Sequence, residues 1–189
     1  MTTISREPHH LTSERWNRFL KGAHVGLRIL AHGFASISIV TMLTSNQDIY
    51  MMSNIVVAKA HFSYSTALRY KVIVDSLVGV FTLLSSILVY KKTKSAYIEP
   101  THSFYFYLLL VDGVMMALAI SGCAAATGVG FVALFGIEKP GISWSPICHM
   151  AKKFCVMATL SIAFSYSMFV CMAALTLISA FKLKLLAAP

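Results

Sequence analysis

Apolar residues along this chain gather into four long blocks, at about Val25 to Leu43, Tyr70 to Tyr90, Phe104 to Phe131 and Met157 to Phe181. Between them lie short segments rich in Lys, Ser, Asn, Gly and Pro. Crossing ~30 Å of hydrocarbon as a helix takes about 20 apolar residues, and each block meets that need. The third is the longest and has room to tilt or to emerge from the bilayer. Short connections favour antiparallel neighbours. The pattern therefore predicts an all-α membrane protein: one four-transmembrane-helix antiparallel bundle over residues 25–182, with tails at 1–24 and 183–189. No internal repeat or low-complexity tract interrupts it.

Composition agrees with lipid as the solvent. Of 189 residues, 57% are hydrophobic and 12% charged, and the mean hydropathy is +0.72. Soluble domains carry about twice that charged fraction, which argues against a disordered chain and against a soluble enzyme. The net charge of +9 comes from 16 Lys and Arg against 7 acids. These cations are spread between apolar blocks, a pattern that fits an anionic membrane surface and not nucleic acid. One side of the bundle gathers Arg6, Arg15, Arg18, Lys21, Lys91, Lys92, Lys94, Lys182 and Lys184, nine in all. The other holds Lys59, Arg69, Lys71, Lys139, Lys152 and Lys153, six in all. The positive-inside rule then places both termini in the cytosol. The first block follows 24 polar residues and is longer than a signal-peptide core, so it is expected to stay as a signal anchor.

Aromatic residues mark the block ends, with Trp16 and Phe19 before the first and Tyr90 closing the second. Amphipathic rings concentrate where headgroups meet hydrocarbon. The cluster Phe104, Tyr105, Phe106 and Tyr107 fits either such a belt or packing inside the bundle. Charges within the blocks are more informative. Arg28 and Asp112 both fall in the cytosolic half, at depths that differ by less than an arginine side chain. A charge at helix centre costs roughly 2.5–3.5 kcal/mol, so such residues pair or face a cavity. An interhelical ion pair between Arg28 and Asp112 is expected, over snorkelling of one and protonation of the other. Asp75 enters from the opposite side and is expected near the interface with Arg69 or Lys71 for company. Gly122, Ala126 and Gly130 line one helical face suited to close packing, with intramolecular contact the expected use. Gly22 and Gly26 are a weaker second pair.

Cys148 and Cys155 flank His149 in the second outer loop, near Trp144. A regular helix would hold them ~10.5 Å apart, beyond the ~7 Å Cα limit for a bridge. A disulfide therefore needs a turn between them, and Pro146 disfavours helix just upstream. We expect the bond over two free thiols. Cys123 and Cys171 read as small core residues, and His32 as a hydrogen-bonded bundle histidine. No His, Cys or acid cluster has metal-ligand spacing, and no nucleotide or catalytic motif is present. The sequence calls for no cofactor, no metal, no nucleic-acid partner and no catalytic residue.

Taken in order, these residues resemble the Casparian strip membrane domain family, in particular its CASP-like plant members, which are related to the MARVEL tetraspan proteins. The resemblance rests on Leu27-Arg28-Ile29-Leu30, on Phe62-Ser63-Tyr64-Ser65 through Tyr70, and on Leu108-Leu109-Leu110-Val111-Asp112 with the run Cys123 to Thr127. Trp144, Ile147-Cys148 and Phe154-Cys155 complete it. The family's embedded arginine and aspartate match Arg28 and Asp112, and its outer cysteine pair matches Cys148 and Cys155. The resemblance implies a plasma-membrane tetraspan protein that self-associates, as a homo- or hetero-oligomer with related chains, and organises partners such as cell-wall-modifying enzymes. Asn46 to Lys59 lacks the short signature of the true Casparian-strip proteins, so that barrier is not implied. Asp75 stands where many relatives carry a neutral residue. Three functions remain in view: a non-enzymatic scaffold as the leading one, an accessory subunit of a larger membrane enzyme or transporter, and an ion or proton channel using Asp75, Asp112 and His32.

Overall fold

The computed structural model describes residues 7–50, 56–94, 102–139, 142–144 and 146–187. Four helices dominate: α1 (Glu7–Leu43), α2 (Thr66–Lys94), α3 (His102–Phe135) and α4 (Lys152–Ala187). Among the described residues all four are long and apolar enough to cross a membrane, over Gly22–Leu43, Thr66–Lys91, Phe106–Phe135 and Lys152–Lys184. Each helix outruns the apolar block that announced it. α1 reaches back to Glu7, with Pro8 in the first turn, where its missing N–H would have had no partner. Arg6 and the side chains of Trp16, Phe19, Phe104, Tyr105 and Trp144 lie outside the described residues.

Local chemistry sets the ends. After α1, the Thr44 and Ser45 N–H groups donate to the carbonyls of Val40 at 3.0 Å and Met42 at 3.2 Å. Before α2, a 3₁₀ turn at Phe62–Tyr64 is capped by His61, whose ring accepts from the Ser63 N–H at 3.1 Å. α3 stops at Gly136, which takes a φ of 70° and donates to Val132 at 2.9 Å. Glycine is the residue that enters this left-handed conformation without steric cost.

The helices pack in a ring, α1 against α2, α2 against α3, α3 against α4 and α4 back against α1. Neighbours run antiparallel. His24 at the start of the α1 span lies 3.3 Å from Ser179 near the end of α4, while Gln47, just past α1, accepts from the Phe154 N–H at 3.0 Å. The start of the α1 span and the last turns of α4 thus share one end of the bundle.

Polarity is arranged in reverse of a water-soluble bundle. Ile29, Leu77, Val170 and Leu177 face outward at 52–72% exposure, whereas among the described residues the two largest fully buried side chains are Arg28 and Lys71. Hydrocarbon outside removes the reason to hide leucine and adds a reason to hide charge. Hydroxyls on the outer faces follow the same logic. Ser36, Thr41 and Ser167 donate to the carbonyl four residues earlier at 2.8–3.1 Å, and Tyr70 on α2 meets Ser121 on α3 at 2.9 Å. Phe106 and Tyr107 are exposed at 48% and 68% with their rings 6.2 Å apart. Of the two readings of that cluster, these two rings follow the outward one.

The connections at the far end depart from an all-helical reading. β1 (Gln47–Tyr50) pairs antiparallel with β2 (Val56–Ala60), and β3 (Ile137–Lys139) with β4 (Ile142–Trp144). Strands of 3–5 residues are too short to leave an alternation in sequence. They form because a chain leaving hydrocarbon between two antiparallel helices can pair its own backbone groups.

Candidate functional site

Two tiers of buried polar side chains cross the interior. In the first, Arg28 on α1 donates through Nη2 to Asp112 Oδ2 on α3 at 2.5 Å and through Nη1 to Ser85 Oγ on α2 at 2.6 Å. Arg28 and Asp112 are fully enclosed. Because α1 and α3 stand at opposite corners of the ring, the ion pair spans a diagonal. Arg28 Nε and Asp112 Oδ1 are buried without a hydrogen-bond partner among the described residues.

The second tier lies about ten residues further along α1, ~15 Å at 1.5 Å per residue. Lys71 Nζ donates to Asp75 Oδ2 at 2.8 Å, to Ser38 Oγ at 2.7 Å and to Ser161 Oγ at 2.7 Å. An ammonium has three donors, so all are used. Asp75 Oδ2 also takes the hydroxyl of Ser165 at 2.7 Å and lies 2.7 Å from Ser38 Oγ. The Ser161 hydroxyl donates to the Ser38 carbonyl at 2.7 Å. This tier joins α2 to α1 and, across the other diagonal, to α4. Together the tiers join every helix to the rest.

Asp75 was expected near the interface with Arg69 or Lys71. The structure places it inside the bundle, 1% exposed and paired with Lys71, while Arg69 faces outward. Lys71, counted with the outer-loop cations, belongs to the core instead, because α2 begins at Thr66 and carries it more than a turn inward. Sequence reasoning missed Ser38, Ser85, Ser161 and Ser165. The available signal was an i, i+4 Lys–Asp pair on α2 and an i, i+4 serine pair on α4, each on one helical face. His32 Nδ1 lies 3.0 Å from the Gly79 carbonyl, apart from both tiers.

Small residues of α3 pack within the chain. A Cβ on Gly122 would meet Val74 at 3.4 Å and the Lys71 Cα at 3.6 Å, and Ala126 is fully buried beside Met42 and Leu68. Gly130 is looser, with Ile162 at 3.9 Å, and Gly22 and Gly26 meet nothing within 4 Å. At the hairpin end, Cys148 and Cys155 are joined with Cα atoms 5.6 Å apart. A 3₁₀ turn at Ile147–His149 supplies the required bend. Cys123 and Cys171 are free and buried.

Residues 17–171 match the Casparian strip membrane protein domain. The chain belongs to that family. CASP-like protein 1F2 of Ricinus communis is 38% identical over 164 residues, 86% of this chain and 78% of its own. CASP-like protein 1F3 of Populus trichocarpa is 37% identical over 161 residues, 85% and 80% of the two chains. CASP-like protein 1F1 of Arabidopsis lyrata is 31% identical over 162 residues, 84% and 88% of the two. No solved structure matches the chain. The matched residues of this CASP-domain protein contain both polar tiers in full, Arg28, Asp112, Lys71 and Asp75 included. In charge the tiers balance: two cations meet two carboxylates.

Proposed function

We propose that this multi-pass membrane protein is a non-enzymatic plasma-membrane scaffold that self-associates laterally and organises partners such as cell-wall-modifying enzymes. One observation carries this reading. Gly22, Gly26 and Gly33 on α1, and Gly113 and Gly128 on α3, would each place a Cβ with nothing within 4 Å. They leave shallow notches on the outside of two opposite helices that the chain's own packing does not use. Such notches let another helix approach closely, which drives association where there is no water to expel. Opposite helices allow each copy two neighbours, as a laterally extended assembly requires. Membership of the Casparian strip membrane protein domain family supports the same reading. Cytosolic termini follow from the loop cations. With Lys71 in the core, the hairpin end keeps five against nine.

The test is the size of the purified protein in mild detergent. Discrete homo-oligomers are expected, and Gly33→Leu with Gly128→Leu should shift them to smaller species without loss of fold. A monomeric wild type carrying a stoichiometric enzyme would establish the accessory-subunit reading instead. Proton or ion flux in proteoliposomes, lost in Asp112→Asn while assembly persists, would establish the channel.

A further inference from the structure

At the hairpin end the bundle is not closed between α3 and α4. A shallow, partly open groove runs there, walled by Gly130 and Ala133 of α3 and by Phe154, Ala158 and Thr159 of α4, with the Cys148–Cys155 bridge beside it. It exists because small side chains face each other across this interface. The groove's wall is nearly all carbon, and it is partly open to the surroundings of the bundle.

Two further observations fix what suits it. Phe131 and Phe135 stand exposed at the end of α3 with ring centroids 4.6 Å apart, a pair typical of the headgroup boundary. At the same level α4 opens with Lys152 and Lys153, both exposed and in no ion pair among the described residues. Lys152 lies on the face of Cys155 and Thr159, which are three and seven residues further along α4. A positive rim therefore crowns a carbon-lined slot. We propose that this groove is a lipid site, seating part of one acyl chain of a phospholipid with a net negative headgroup, which rests against Lys152 and Lys153.

The experiment uses the full chain in phosphatidylcholine nanodiscs doped with phosphatidylglycerol carrying a photoactivatable acyl chain, with adducts mapped by mass spectrometry. Adducts should concentrate on Ala133, Phe154 and Thr159. Their yield should be several-fold higher than with a phosphatidylcholine probe bearing the same chain. Lys152→Gln with Lys153→Gln should remove that preference while leaving the adduct positions unchanged. Gly130→Leu, which fills the slot, should lower the yield several-fold at unchanged oligomer size. Adducts spread evenly over the outer faces would overturn the proposal, as would equal yields from the two probes in the wild type. Cross-links from the groove to a second copy would assign it to assembly instead. The wild-type map decides even if a variant fails to fold.

Discussion

The Arg28 guanidinium and the Asp112 carboxylate meet at 2.5 Å across the diagonal of a bundle whose corners they occupy. A diagonal contact is sensitive to the position of every helix at once, since α2 and α4 set the distance between α1 and α3. Arg28 also holds Ser85 on α2. The pair therefore specifies register as well as neutralising charge, the best-attested use of a buried polar interaction.

Removing one partner strands the other. Arg28→Met or Asp112→Leu alone should destabilise the chain by about 3–5 kcal/mol, seen as a lower thermal midpoint and a poor yield of monodisperse protein. The double variant should recover most of that loss, because no charge is left without a partner. Simply additive losses would show that the two side chains act independently.

The Lys71 tier should respond in graded fashion. Lys71→Met leaves the Asp75 carboxylate buried without its cation and should be as damaging as loss of Arg28. Ser165→Ala removes one hydroxyl from a carboxylate that keeps Lys71, so about 0.6 kcal/mol is expected, the average for an interhelical hydrogen bond in membranes. Ser38→Ala should cost more, since Ser38 meets Lys71, Asp75 and Ser161 together. Thermal midpoints of the three variants in one detergent check the order.

This contrast bears on what was legible beforehand. Arg28 and Asp112 announce themselves because each is the lone charge of its apolar block, Arg28 a few residues in and Asp112 deeper. Lys71 sits at the edge of its block, where one turn of helix decides between loop and core, and hydropathy alone puts the edge at Tyr70. Serine carries no signal of its own. Ser36 and Ser38 look alike in sequence, yet Ser36 bonds its own helix on the outside while Ser38 anchors a tier inside. The hairpins left no trace because strands this short have no period to detect.

Glycine placement was only partly legible for a similar reason. From Ser121 to Gly130 almost every residue of α3 is small, so spacing cannot say which face turns inward. The structure separates them, and the separation is testable. Gly122→Leu should push α2 from α3 and cost roughly 1–3 kcal/mol by overpacking, because Val74 already stands at ordinary contact distance. Gly128→Leu meets open space and should leave the stability of the fold within about 0.5 kcal/mol of wild type. Equal losses at the two positions would mean that α3 is rotated from the orientation described.

The four cysteines give a prediction in three stages. Cys123 and Cys171 are buried between helices, and Cys148 is bonded to Cys155. A thiol-reactive label applied to the folded, unreduced protein should therefore add nothing. Mild reduction should admit two labels, at Cys148 and Cys155, while the polar tiers keep the helices together. Only denaturation should admit the third and fourth. Closing a loop of seven residues is worth on the order of 2 kcal/mol in chain entropy, so Cys148→Ser should lower the thermal midpoint without dissociating the bundle. The loss should fall first on the hairpin end, because Gln47 grips the Phe154 N–H just one residue before Cys155. Proteolysis within residues 137–151 should accelerate well before any cut appears in α1 or α2. Two labels entering without reductant would show the bridge absent. Four labels entering after mild reduction alone would show that this bond, and not the buried ion pairs, holds the helices in place.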